Sequence, residues 1–224
     1  MNKKSKALVM LSGGLDSATC LYWAKEKFSR VYAITFDYYD RAEKERKATI
    51  ALSRKANASK LLKISIPFIK ESSDFYRGRQ RPRTGDGRWS SYIPARNMIF
   101  YSIAAHYAEF LDIKWIIGGH NRDDGLFFKD ATAPYLNDMN SLFSQGCLYC
   151  GNKPYKVLAP LANLNRIEII NLAVKLKVPL ALTWSCHHKG ENHCRQCYAC
   201  LNRIEAFRNL GIPDPALDRI SKIP

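Results

Sequence analysis

The chain alternates short apolar runs with longer amphipathic ones. Residues 6–11, Lys-Ala-Leu-Val-Met-Leu, run apolar until Ser12-Gly13-Gly14 breaks them, which predicts a buried strand. Residues 16–27 follow with apolar positions at Ala18, Leu21, Tyr22 and Trp23, a spacing that suits a helix. The same reading gives strands at 31–36, 61–66 and 114–118, and helices at 41–57, 96–111, 135–145 and 166–176. Residues 121–130 read as a polar loop after the fourth strand, and 67–92 as irregular chain. Strands alternating with helices predict an α/β protein: a parallel sheet with helices on both faces. Such sheets bind ligands at the carboxyl ends of their strands, which singles out 12–17 and 121–130.

Composition narrows the class. A chain of 224 residues is long enough for one well-buried domain. The longest apolar runs, such as 115–117 with its flanks, are too short to span a bilayer. The basic start, Met1-Asn2-Lys3-Lys4-Ser5-Lys6, lacks the apolar core and cleavage site of a signal peptide, so a cytoplasmic location is expected. The net charge is +15, from 35 Lys and Arg against 20 Asp and Glu. That leaves a nucleic-acid partner open, but the charge is spread along the chain, which favours an enzyme handling polyanionic nucleotides. Seven cysteines, an odd number, suit ligands or core residues better than disulfides in a reducing compartment.

Two segments carry chemistry. Ser12-Gly13-Gly14-Leu15-Asp16-Ser17 lies between a strand and a helix. Its glycines let backbone N–H groups turn inward as an anion nest, and the helix N-terminus adds the positive end of a dipole. Asp16 can hold a Mg²⁺ that bridges phosphate oxygens. The hexapeptide resembles the PP-loop of the ATP pyrophosphatase superfamily, which implies cleavage of ATP between the α and β phosphates. The second segment is Cys186, Cys194, Cys197 and Cys200, four soft ligands whose C-x2-C spacing suits tetrahedral, structural Zn²⁺, with an iron–sulfur cluster as the lesser alternative. Lys189, His193, Arg195 and Arg203 are expected to offset the negative charge of that site. A separate pair, Cys147 and Cys150, is open between a half-site across a dimer, a redox pair and an unliganded pair; Cys20 is expected in the core.

Taken together, the segments resemble the 7-cyano-7-deazaguanine synthase (QueC) family over most of the chain. The resemblance rests on 12–17, Thr35-Phe-Asp-Tyr38, Tyr92-Ile-Pro-Ala-Arg-Asn97, Ala159-Pro-Leu161 and Thr183-Trp-Ser-Cys186, continuing through Cys194, Cys197, Cys200, Arg203, Glu205, Ala206, Phe207 and Gly211-Ile-Pro-Asp-Pro215. It implies an adenine-nucleotide α-hydrolase-like domain over 1–182 and a zinc-binding helical element over 183–224. It also implies a dimer that converts 7-carboxy-7-deazaguanine and ammonia to the nitrile through an adenylate and an amide. ATP with Mg²⁺ would be held by Met10, Leu11, Ser12, Gly13, Gly14, Leu15, Asp16 and Ser17, with Phe36 meeting adenine. Asp16, Ser17 and Arg96 would serve catalysis. Arg96, Asn97, Asp123, Asp124 and Asp130 would face the acceptor. The chain departs from the family pattern at Tyr39-Asp40-Arg41-Ala42, which lacks a His, and at Asp130-Ala131-Thr132, which lacks an Arg. A related carboxylate, or a tRNA base modified by a PP-loop enzyme, is the alternative acceptor.

Overall fold

The computed structural model describes residues 5–38, 41–69, 93, 95–146, 155–188 and 190–217. The Arg-rich stretch 77–88 and the Cys147/Cys150 pair lie outside them. Strands β1 (Lys6–Met10), β2 (Arg30–Asp37), β3 (Leu61–Ser65), β4 (Trp115–Ile117) and β5 (Lys156–Leu158) form one parallel sheet in the order β3-β2-β1-β4-β5. The helices are α1 (Leu15–Lys27), α2 (Glu43–Lys55), α3 (Arg96–Phe110), α4 (Arg122–Phe127), α5 (Ala133–Gly146), α6 (Arg166–Lys175) and α7 (Tyr198–Asn209).

The pleat of β1 sends alternate side chains to opposite faces. Ala7 and Val9 join one core with Leu21 of α1, Leu52 of α2, Ile169 and Ile170 of α6 and Phe207 of α7. Leu8 joins a second core with Tyr101 and Ala104 of α3 and Leu136 and Met139 of α5. The sheet is therefore covered on both faces, as the alternation of elements predicts. Cys20 is fully buried in the first core, as expected.

Two elements differ from the sequence reading. Residues 121–130 contain helix α4 and a short 3-10 turn, Lys129–Ala131, rather than loop. Asn121 caps α4: its side chain accepts from the Asp124 N–H at 2.9 Å, and the Asp124 carboxylate accepts from the Asn121 N–H at 3.3 Å. This reciprocal cap supplies the start signal that apolar periodicity does not. Strand β5 is three residues long, too short to show a period, and is defined by its pairing with β4, Trp115 opposite Lys156 and Ile117 opposite Leu158. Among the described residues no helix is long and apolar enough to cross a membrane.

Candidate functional site

The sheet order places β1 between β2 and β4, so the chain changes direction across the sheet at the β1/β4 seam. The carboxyl ends of both strands open there, the usual place for a ligand crevice in this architecture. The loop 12–17 leaves β1 at that point. Gly13 has φ +98°, and a Cβ on it would stand 2.6 Å from the Glu45 carbonyl oxygen and 2.8 Å from Thr49 Oγ1. Both conformation and space require glycine. Replacing Gly13 by alanine is expected to lower stability by roughly 2 kcal/mol or more. A urea midpoint equal to that of the unsubstituted protein would show that the turn relaxes freely.

The rest of the loop is braced internally. Ser17 Oγ accepts from the Ser12 N–H at 3.2 Å and donates to the Gly14 carbonyl at 3.1 Å, while Ser12 Oγ accepts from the Gly14 N–H at 3.2 Å. The first-turn N–H groups of α1 have no intrahelical acceptors, which leaves them as donors at the carboxyl end of β1. Leu11 and Leu15 are buried, and Met10 packs on the second core, so these three anchor the loop by their side chains.

Arg41 holds the loop from behind. Its buried guanidinium donates to the carbonyls of Ser12 and Phe36 and, at 2.8 Å each, to the hydroxyls of Thr35 and Thr49. Thr49 Oγ1 in turn donates to the Ser12 carbonyl at 2.7 Å. Sequence assigns Arg41 no role, because its partners lie on three separate elements. From the other side, the Trp184 N–H donates to the Gly13 carbonyl at 2.9 Å, so the segment leading to the cysteines also fixes the loop.

Asp16 faces the seam. Asn121 Nδ2 donates to its Oδ2 at 2.9 Å, and Arg166, the first residue of α6, donates to its Oδ1. Neither partner is evident from periodicity. Asn165 and Glu168 form a second reciprocal cap, which marks the start of α6 and so locates Arg166. Close by, burial and the neighbouring Asp16 charge push the Asp124 carboxyl up to about 6, against the hydrogen bond from Asn121. An acid whose pKa rises on folding favours the native state below its unfolded pKa, and that contribution is lost as pH climbs through the folded value. Between about pH 4 and pH 6 this group should cost about 2 kcal/mol of stability. Asp124→Asn keeps an oxygen for the cap and is expected to flatten that slope in urea titrations against pH; a parallel slope in both proteins would refute it.

Arg96 opens α3, and Asn97 Nδ2 reaches the Asp130 carbonyl at 3.5 Å. Asp123 lies beside Arg122, at 4.0 Å. Phe36 is buried in the second core, its ring stacked on Phe100 with centroids 4.3 Å apart, and its carbonyl accepts from Arg41.

The cysteine centre follows the loop. The sulfurs of Cys186, Cys194, Cys197 and Cys200 all lie within 4.8 Å of one another. Four ligands at the Zn–S length of about 2.3 Å need sulfurs about 3.8 Å apart, so the cluster fits one tetrahedral ion. Backbone N–H groups of His188 and Cys194 point at Cys186 Sγ, and those of Gln196 and Cys197 at Cys194 Sγ. The Gln196 bond leads the causes that bring the Cys194 thiol down to about 6. These amides offset thiolate charge; of the basic residues expected there, Lys189 lies outside the described residues. Arg203 is instead held by Asp214 at 2.6 and 2.9 Å, and Arg195 donates to the Leu217 carbonyl. His193 accepts from the Ser185 N–H at 3.2 Å, and burial holds it down to about 4, so it is neutral.

A parallel sheet with this order and an SGGLDS turn at the seam defines the PP-loop class of nucleotide-binding α/β proteins. Solved structures share the fold: an NMN synthetase from Francisella tularensis (TM-score 0.54, 14% identity, 94% of this chain and 79% of that one). A 4-thiouridine synthetase–RNA complex with bound ATP is similar as well (TM-score 0.51, 19% identity, 78% and 41%). Within that class the chain belongs to the QueC family: the model for "Queuosine biosynthesis protein QueC" matches residues 6–211. It is similar to the 7-cyano-7-deazaguanine synthases of Thermoplasma volcanium (38% identity, 98% of this chain and 92% of the relative) and Nostoc punctiforme (34%, 94% and 98%).

Proposed function

We propose that the protein converts 7-carboxy-7-deazaguanine and ammonia to 7-cyano-7-deazaguanine, consuming ATP as AMP and pyrophosphate. The observation that carries this reading is Asp16 beside the glycine turn at the β1/β4 seam. The relatives' name supplies the acceptor.

In this reading the first-turn amides of α1, with Ser12 and Ser17, bind the triphosphate and the departing pyrophosphate. Asp16 would hold Mg²⁺, which would neutralise phosphate charge. Arg166 balances charge around Asp16. Arg96, Asn97, Asp123, Asp124 and Asp130 orient the deazaguanine, whose N–H edge suits a carboxylate acceptor. An acceptor carboxylate oxygen bonds to the α-phosphorus as the α–β P–O bond breaks. Ammonia then forms a C–N bond to the acyl carbon, AMP leaves with the C–O pair, and a proton passes to solvent. A second adenylation on the amide oxygen lets that oxygen depart on AMP while nitrogen loses two protons, leaving the nitrile.

Mass spectrometry of 7-carboxy-7-deazaguanine incubated with ATP, ammonium and protein tests this: the nitrile and AMP should accumulate together. Formation of ADP alone, or an untouched carboxylate, would overturn it. The net charge of +15 favours one second reading, adenylation of an RNA base. In that case tRNA should bind tightly at low salt and release as salt rises.

The four-thiol donor set suits zinc in a structural role, with no position open to substrate. Cys197→Ser is expected to bring zinc content from about one per chain to near zero, and to leave little soluble protein, because structural zinc binding is coupled to folding. Metal analysis that found a full complement in this variant would exclude the assignment.

A further inference from the structure

The peptide between Ser12 and Gly13 sets which way the glycine turn presents its amides. The peptide bonds of the turn are trans, and in a trans peptide the carbonyl and the following N–H point in opposite directions. Arg41 Nη2 donates to the Ser12 carbonyl, and Thr49 Oγ1 donates to the same oxygen at 2.7 Å. The Gly13 N–H is therefore turned away from both, and it has no acceptor among the described residues. The next carbonyl, that of Gly13, accepts from the Trp184 N–H at 2.9 Å. Two successive carbonyls are thus engaged by groups outside the turn, and successive N–H groups freed in this way form an anion nest.

Nothing within the turn itself keeps this orientation. Rotating the Ser12–Gly13 peptide by half a turn changes ψ of Ser12 and φ of Gly13 together, and glycine accepts φ of either sign. The rotated peptide would put a carbonyl oxygen, a partial negative charge, on the side the Gly13 N–H now takes. The hold comes from outside. The Arg41 side chain is 2% exposed, and it also donates to the Phe36 carbonyl at 2.7 Å and to Thr35 Oγ1 at 2.8 Å, which fixes it on β2. Its charge is met by Glu45, with Oε1 3.5 Å from Nε, so its contribution is orientation rather than field. We propose that Arg41, seconded by Thr49, is a positioning residue for pyrophosphate: it keeps the Ser12–Gly13 peptide in the orientation that binds the departing anion. This role rests on the adenylating reaction proposed above.

Arg41→Lys keeps the charge but replaces the planar fork by a compact ammonium, which cannot span the Ser12 carbonyl and β2. Thr49→Val removes the second bond to that carbonyl and keeps the shape; Thr49→Ser keeps the bond. Each protein is titrated with inorganic pyrophosphate and Mg²⁺ by calorimetry. Each is also assayed for exchange of pyrophosphate into ATP in the presence of 7-carboxy-7-deazaguanine. The Kd for pyrophosphate should rise about tenfold in Arg41→Lys and about fivefold in Thr49→Val, as for loss of a buried hydrogen bond to a charged and to a neutral donor. Thr49→Ser should match the parent. In the exchange assay the KM for pyrophosphate should rise in step, while the KM for the carboxylate stays within about twofold. A purely structural role would lower the active fraction, and so the rate, without moving Kd or KM; that pattern overturns the proposal. A parent-like Kd in folded Arg41→Lys does the same, as does a parent protein that binds no pyrophosphate. If Arg41→Lys does not fold, Thr49→Val against Thr49→Ser decides alone. Pyrophosphate binding without exchange in the parent would sink the proposed function instead, and the Kd values alone would then decide the role of Arg41.

Discussion

Asp16→Asn is expected to lower pyrophosphate release by about a thousandfold while the protein stays folded. Asparagine keeps the size of the side chain and an oxygen for Asn121 Nδ2 to donate to. It removes the charge that faces Arg166 and that the proposed Mg²⁺ requires. Metal and preorganised charge act most strongly where negative charge moves onto a departing diphosphate, and losing one such group typically costs two to three powers of ten. Asp16 and Arg166 are part-exposed, so little of the effect should appear as lost stability. The test pairs a pyrophosphate assay with thermal unfolding. Turnover within about twofold of the parent would remove Asp16 from the chemistry.

The second large effect concerns folding. Arg203 is almost fully buried on α7 and bonds Asp214 through two parallel contacts of 2.6 and 2.9 Å. It also donates to Thr183 Oγ1 at 2.7 Å and Ser185 Oγ at 3.1 Å, on the segment whose Trp184 N–H holds Gly13. Removing Asp214 would strand a buried guanidinium. Asp214→Ala is therefore expected to cost about 3–5 kcal/mol. Domains have about 5–15 kcal/mol to lose, so poor soluble yield should follow. The double variant Arg203→Met/Asp214→Ala should recover part of the loss, since an apolar side chain replaces the stranded charge. Urea unfolding of the three proteins measures the coupling; a single-variant cost below about 1 kcal/mol would show the pair to be dispensable.

The pair joins the two parts of the chain that carry chemistry. Arg203 sits three residues past Cys200 and organises the segment 183–186, which ends in a metal-ligand candidate and touches the glycine turn. Loss of metal at the cysteines should therefore be felt at Gly13 through Trp184.

The sequence alone determined the strands β1 to β4, the long helices, the glycine turn and the four-cysteine set. These depend on features that lie close together in the chain: a periodicity of two or 3.6, a glycine pair, a C-x2-C spacing. Strand β5 and helix α4 escaped because three and six residues are too few to display a period; each is fixed by something else, a ladder with β4 and a capping pair. The tertiary structure decided who holds Asp16. Asn121 and Arg166 are 105 and 150 residues away, and they meet it only because β4 lies beside β1 and α6 begins at the same seam. Arg41 and Trp184 became visible for the same reason. Local patterns fix which segments bury which face; the packing of those faces then brings distant polar groups to one end of the sheet, and no local pattern records that meeting.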